Sequence, residues 1–313
     1  MKTHKIIVVT PAGRRAYLDV LKQYIIRDQN IAEWHLWDNC RDIQDRAYID
    51  SLGKKFGKIR IIRHDGTDGS NRCINRFYAT CTDPETFYIK MDDDIVYLEK
   101  NTASSLLAAA VAEKERYLWW SPLVVNNALC SWLLQQHGLL DTDRELTAQA
   151  SCPTGWEDPW FAAMLHTSFL NMLSRGQRLR VPKSTVSLSR YSINCIGFFG
   201  EDVVKYGPLF CPEHVSDEEW ISAVLPLKTG RYGRITGETC VAHYSFYTQE
   251  HVLSTTDILD RYYELAGITR VHPTPAHNRL WRRGKLRRAA KAFLNKIGLC
   301  MGPRARPRVG LRP

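Results

Sequence analysis

No stretch of this sequence stays apolar for the roughly 18 residues that a membrane-spanning helix needs. That excludes an ordinary helical span. The opening, Met1 to Pro11, starts basic, but its apolar run is short and is cut by Pro11, so a secretory leader is not expected. The nine cysteines are odd in number and contain no Cys-x-x-Cys pair, and no Asn-x-Ser/Thr sequon occurs. A disulfide framework is thereby disfavoured, and a reducing cytoplasm suits the chain better than secretion. Missing too are the Gly-x-Gly-x-x-Gly dinucleotide fingerprint, the Gly-x-x-x-x-Gly-Lys-Ser/Thr phosphate loop and the Asp-x-Asp-x-Asp-Gly calcium loop.

Acidic residues are absent from positions 279 to 313, where twelve Lys or Arg are found. The formal charge of +10 belongs to that segment, and taking the twelve away leaves −2 for the rest. The body of the protein is therefore not a nucleic-acid binder by charge. With 313 residues, 44% hydrophobic and 11% aromatic, it is long enough and apolar enough to bury a full core.

The most informative stretch is Phe87 to Leu98, in which Asp92, Asp93 and Asp94 stand between two apolar segments. The run before them has the length and the β-branched and aromatic content of a buried strand, so the carboxylates fall where that strand ends. In open α/β sheets ligands bind at that end. Adjacent carboxylates repel and call for a cation. Side chains at i and i+2 of an extended segment point the same way, so Asp92 and Asp94 are expected to grip one ion. Hard oxygen ligands favour Mg²⁺ or Mn²⁺. The plain alternative is a solvated acidic turn.

Three strand-helix units precede this stretch. Ile6 to Thr10 reads as a strand, followed by Pro11, Gly13 and Arg14 and a helix from about Ala16 to Asp28. His35 to Trp37 is a second strand ending at Asp38, with a helix through Ile43, Ala47, Tyr48 and Leu52. Ile59 to Ile62 is a third, followed by a turn-rich loop and a helix through Ile74, Phe77 and Tyr78 with Arg72, Asn75 and Arg76 near its start. Such a succession predicts a parallel sheet. A Leu- and Ala-rich helix is expected from about Thr102 to Glu115, and a further strand from Trp119 to Asn127. Downstream, Ser216 to Glu219 has the spacing of a capping box, and His243 ends a short apolar strand.

A βαβα opening of about 90 residues that ends in an apolar strand and Asp-x-Asp resembles the nucleotide-sugar half of GT-A-fold glycosyltransferases, of the kind that build bacterial cell-surface glycans. The resemblance covers residues 5 to 250, and its sharp part is the acidic motif in its strand context. It implies a Rossmann-type central mixed sheet flanked by helices. The nucleotide-sugar half would be residues 1 to 127, the acceptor half 128 to 275, and the basic amphipathic tail 276 to 313. It also implies a hexosyl- or deoxyhexosyl-transferase with a nucleotide-sugar donor and a glycan or lipid-linked acceptor, using Mn²⁺ or Mg²⁺. Carried over by position, Pro11, Gly13 and Arg14 would border the base, and Asp38 would contact it. Arg72, Asn75 or Arg76 would lie along the donor, with Asp92 and Asp93 at its diphosphate. Asp92, Asp94 and His243 would hold the metal. An acidic cluster at a helix start supplies the general base of inverting members, which points to Asp217, with Glu218 or Glu219 beside it and Glu201 and Asp202 as the rival pair. Trp132, Trp156, Trp160 and Phe161 are either core or sugar-stacking residues, and Glu157 and Asp158 are candidate acceptor contacts.

The stretch from Asn278 to Gly298 is helical in pattern, with Trp281, Leu286, Phe293 and Ile297 against a dense basic face. That is the pattern of a surface helix that prefers anionic lipid. The expected location is cytoplasmic, peripheral on the inner face of the cell membrane, with no nucleic-acid partner. Two readings of other classes compete. Asp92 to Val96 also fits the Asp-x-Asp-x-Val of haloacid-dehalogenase-like phosphatases, whose motif ends the first strand. A non-catalytic sugar-nucleotide or lipid-binding module would use the same pocket without a base.

Overall fold

The structure is a computed structural model and describes residues 4 to 187 and 189 to 272. Its centre is one nine-stranded mixed sheet. In chain order the strands are β1 (Lys5–Ala12), β2 (Ile31–Asp38), β3 (Ile59–Ile62), β4 (Thr86–Met91), β5 (Ile95–Leu98), β6 (Tyr117–Val125), β7 (Ser184–Val186), β8 (Cys195–Phe199) and β9 (Tyr232–His243). Across the sheet they run β3-β2-β1-β4-β8-β6-β9-β5, with β7 on the other part of β9. β3, β2, β1 and β4 are mutually parallel. β8 is antiparallel to both β4 and β6, while β9 runs parallel to β6 and antiparallel to β5.

Every residue of β4 and of β6 is buried, as expected of strands covered on both faces. Pro122 inside β6 cannot donate to a ladder, and the β6–β9 register shifts between Ser121 and Leu123, where that donor is missing. Gly233 is required by close approach, since a Cβ there would lie 1.9 Å from the Trp119 ring.

The helices are α1 (Arg15–Arg27), α2 (Ile43–Lys55), α3 (Asn75–Tyr78), α4 (Thr102–Glu113), α5 (Ala128–Gln136), α6 (Pro153–Trp156), α7 (Pro159–Ser174), α8 (Gly200–Tyr206) and α9 (Asp217–Glu219), followed by the helical segments Trp220–Val224, Leu225–Thr229, Glu250–Leu253 and Ile258–Leu265. Expected and observed bounds agree closely for α1, α2, β3 and α4. β2 begins four residues before the expected His35, and the helix after β3 is a single turn. β5, which was not expected as a strand, runs along β9 and ends the sheet.

The registers bring the ends that matter together. Met91 pairs with Cys195, Ala12 with Asp38, Val125 with Ala242 and Ile95 with His243. One end of the sheet therefore carries Gly13, Arg14, Asp38, the 92–94 turn, Asn126, Asn127, Asn194 and His243. The tail assigned to residues 276 to 313 lies outside the described residues.

Candidate metal centre and active site

The three aspartates occupy the turn between β4 and β5, where Ile95 N donates to Asp92 O at 3.2 Å. This corrects one step of the sequence argument: Asp92 and Asp94 converge because the chain turns there, and not because an extended strand alternates. Ligand atoms of Asp92, Asp94 and His243 all lie within 4.8 Å of one another.

Each acid has a different environment. Asp93 faces inward and acts as an anchor, accepting from Gly13 N at 3.0 Å and Arg14 Nε at 2.9 Å, with Arg14 Nη2 also on its Oδ1. Arg14 Nη2 is 3.1 Å from Asp94 Oδ2, and its guanidinium lies 5.0 Å from the Tyr17 ring centroid. Asp94 is 1% exposed, and its Oδ1 has no hydrogen-bond partner among the described residues. A buried carboxylate oxygen without a donor is costly unless a cation takes it. Burial works to raise the Asp94 carboxyl, but the Arg14 guanidinium and His243 outweigh it and hold it below the usual carboxylate range. Asp92, half-buried, accepts from Lys90 Nζ on Oδ1 and from Asn194 Nδ2 on Oδ2 at 3.1 Å.

His243 ends β9 with its ring buried. Its Nδ1 faces the carbonyl of Asn126 at 3.2 Å and must donate to it, which leaves Nε2 toward Asp94 Oδ2 at 3.4 Å. Asn126 sits at φ 62, a left-handed conformation that Asn tolerates. Its amide donates to Tyr244 O at 3.0 Å and Gln249 Oε1 at 2.9 Å. A ring nitrogen fixed through its partner on a backbone carbonyl is the arrangement by which proteins orient a ligating histidine. Two carboxylates and one imidazole, with an orphaned buried oxygen among them, fit a divalent cation of the Mg²⁺ or Mn²⁺ kind.

Asp217 opens α9, where Ser216 Oγ accepts from Glu219 N at 3.4 Å as the capping box requires. Burial raises the Asp217 carboxyl above its ordinary value; the positive charge of Lys90 opposes that shift and the negative charge of Asp92 adds to it. Asp217 is thus within electrostatic reach of the metal group. Glu218 is paired with Arg190 Nε at 2.6 Å. The rival acids are elsewhere: β8 runs antiparallel to β4, so Glu201 and Asp202, just after its far end, sit at the opposite end of the sheet. There Glu201 pairs with Lys114, and Asp202 with Arg231.

Asp38 is buried at the end of β2 and accepts from Arg63 Nε at 2.9 Å and Arg46 Nε at 3.1 Å. Pro11 is a buried residue of β1. Asn75 donates to Pro212 O at 2.5 Å and Val215 O at 3.0 Å, tying α3 to the loop that leads into Asp217. Arg76 pairs with Glu213, and Arg72 is exposed. In the acceptor half, Phe161 is core, Trp132 packs against the core, and Trp160 is 65% exposed. Trp156 meets the exposed Tyr247 edge-on at 5.5 Å. Asp158 caps α7, accepting from Trp160 N at 2.9 Å and Phe161 N at 3.1 Å.

Lys90 and Asn194 belong to the site and were not singled out from the sequence. A lysine inside a fully buried strand beside an acidic motif is a legible signal for the first. Asn194 is brought in by the β4–β8 register, which no local pattern reveals.

No protein-family model matches the chain, and no curated protein matches it. Solved structures do. A mannosyltransferase from Pyrobaculum calidifontis, PcManGT, in complex with GDP-Man and Mn²⁺, is similar at 10% identity and a TM-score of 0.48, over 88% of this chain and 66% of that one. Residues 1–349 of S. aureus TarS are similar at 13% identity and a TM-score of 0.46, over 82% and 70%. GalNAc-T7 with UDP, GalNAc and Mn²⁺ is similar at 11% identity and a TM-score of 0.45, over 84% and 48%. The likeness is one of fold. This chain spans just under two thirds of the first structure and about half of the third.

Proposed function

We propose that this protein is a metal-dependent glycosyltransferase that moves a sugar, of the hexosyl or deoxyhexosyl class, from a nucleotide-sugar donor to a glycan or lipid-linked acceptor. The observation that carries the reading is the convergence of Asp92, Asp94 and His243 at the ligand-binding end of the sheet.

Asp94, with its unpartnered Oδ1, and His243, with Nε2 held toward it, would be the firmest metal ligands, and Asp92 would complete the set. The bound ion would supply charge neutralisation for the donor diphosphate as it leaves. The chain's own part is positioning. Arg14, locked by Asp93 and Asp94 and stacked against Tyr17, keeps a half-buried positive charge beside the metal group, where a diphosphate oxygen can meet it. Gly13 donates its backbone N–H to Asp93, and a Cβ there would lie 3.3 Å from Asn39 O, so the first loop can sit closely against the end of β2. Asp38 orders Arg63 and Arg46 at the end of β2, where the base would lie, and the exposed Arg72 would be free to follow the donor.

Asp217 would take the proton of the acceptor hydroxyl, giving inversion at the anomeric carbon, with Glu218 holding Arg190 beside it. A carboxyl raised by burial is a better base near neutral pH than an ordinary one. Cell-surface polysaccharide or lipopolysaccharide synthesis at the inner membrane face is the setting that the basic sequence of residues 276 to 313 supports. Among the described residues no helix is long and apolar enough to cross a membrane. Removing residues 276 to 313 is expected to release the protein from anionic vesicles.

The test is thermal stability against UDP-, GDP-, CMP- and dTDP-sugars with and without Mn²⁺. A metal-dependent rise of the midpoint with one nucleotide class is expected, by linkage. Equal behaviour with every nucleotide, metal or no metal, overturns the reading. For the phosphatase alternative the motif would have to end the first strand, and it ends the fourth.

A further inference from the structure

Behind the metal group the Asn194 amide that meets Asp92 is itself held by a second buried amide, that of Asn127. Asn127 is 1% exposed at the end of β6 and Asn194 is 4% exposed just before β8. The orientation of the first is dictated by backbone chemistry. Asn127 Oδ1 meets the N–H of Cys130 at 3.2 Å, which can only donate. Its Nδ2 meets the carbonyl of Ser192 at 2.9 Å, which can only accept. Exchanging O and N would break both bonds, so the amide has one allowed setting.

That setting fixes the next one. Asn127 Nδ2 also reaches Asn194 at 3.0 Å, so Asn194 must present Oδ1 there. Its Nδ2 is then turned toward Asp92 Oδ2 at 3.1 Å, where a carboxylate can only accept. The backbone repeats the tie, since Asp92 N donates to Asn194 O at 2.9 Å. From the other side Lys90 Nζ holds Ile193 O at 2.9 Å and Asp92 Oδ1. Both oxygens of Asp92 are thus placed before any ligand arrives.

We infer that Asn127 is a positioning residue of the metal site, acting through Asn194 to set the Asp92 carboxylate in its ligating orientation. The inference rests on the metal reading of Asp92, Asp94 and His243. Among the described residues the Asn127 side chain bonds to Ser192, Asn194 and Cys130 and makes no hydrogen bond to Asp92, Asp94 or His243. It sits at the cap of α5, and its structural work there is separable: a serine at the same place also caps a helix but has no amide to hold Asn194.

The test is Mn²⁺ binding to the full-length protein, followed by electron paramagnetic resonance without donor or acceptor, so that turnover is not the readout. Asn194→Ala is expected to weaken Mn²⁺ binding about 10- to 100-fold, the usual cost of losing a group that orients a metal ligand. Asn127→Ser is expected to weaken it in the same direction. The double variant should bind within about twofold of Asn194→Ala alone, because independent sites would multiply and a shared path does not. If Asn127→Ser does not fold, Asn127→Asp serves: it keeps size and cap, removes the donor, and should turn the Asn194 oxygen toward Asp92. Wild-type affinity in a folded Asn127→Ser or Asn127→Asp protein overturns the inference, as does full multiplication of the two effects. Absence of Mn²⁺ binding by the wild type instead overturns the metal reading on which it rests.

Discussion

Two buried acids stand at the same end of the sheet, Asp38 at the end of β2 and Asp94 just after β4, and their surroundings differ in one decisive respect. Asp38 is saturated: Arg63, Arg46 and the N–H of Cys40 all donate to it. Asp94 receives Arg14 and faces His243 on one oxygen and has no donor on the other. Burial alone does not mark a ligand site, because both acids are buried. The unpartnered carboxylate oxygen together with a second carboxylate and an imidazole within 4.8 Å does, since that set offers a cation three ligand atoms and relieves the buried charge.

The sharpest way to break this comparison is to neutralise each acid. Asp94→Asn is expected to abolish Mn²⁺ binding and to lower turnover by about 1,000-fold or more, the upper end of what removing one electrostatic stabiliser costs. Asp38→Asn should leave Mn²⁺ affinity unchanged and instead lower thermal stability, by about 1–3 kcal/mol for its buried hydrogen bonds. Loss of Mn²⁺ binding in Asp38→Asn would erase the distinction between the two acids.

Asp217 adds a pH test. Its carboxyl is raised by burial, and a base works only when deprotonated, so kcat/KM should rise with pH through a value above the ordinary carboxylate range. Asp217→Asn is expected to lower turnover by about 100-fold, the low end for a general base, and to remove that acid limb. The Mn²⁺ affinity should survive. An unchanged acid limb in Asp217→Asn would move the base to another group.

An effect on stability alone separates the site from its support. His166 is fully buried between the Tyr262 hydroxyl at 2.8 Å and Tyr244 O at 2.9 Å, and burial pushes it down to about 4. Its ordinary value is about 6.5, so folding favours the neutral form. The stability it contributes is present above about pH 6.5 and is lost as pH falls from there to about 4, roughly 3 kcal/mol over the whole window. Thermal midpoints of the wild type should fall more steeply across that range than those of His166→Asn. Equal slopes would remove this role from His166.

How much of this was legible in the sequence differs by region. Apolar runs bounded by turns located β1, β3, β4 and β6, because buried strands must be apolar. Asp92 and Asp94 were legible because three acids between two such runs call for a cation more readily than for the plain alternative of a solvated turn. Their convergence was expected for a wrong geometric reason, since the chain turns at Asp92 instead of extending. Asn127 and Asn194 lie 67 residues apart in sequence, and their meeting depends on β8 running antiparallel to β4 and β6. Strand order is a tertiary choice that local pattern does not encode, and it is also what puts Asp202 at the far end of the sheet from Asp92.

The central claim is most directly tested by titrating Mn²⁺ into the wild type and Asp94→Asn with a nucleoside diphosphate present and absent. The account predicts one Mn²⁺ per wild-type chain, bound more tightly with the nucleotide present, and none in Asp94→Asn. Nucleotide binding that is undiminished in EDTA, with no Mn²⁺ site in the wild type, would contradict it.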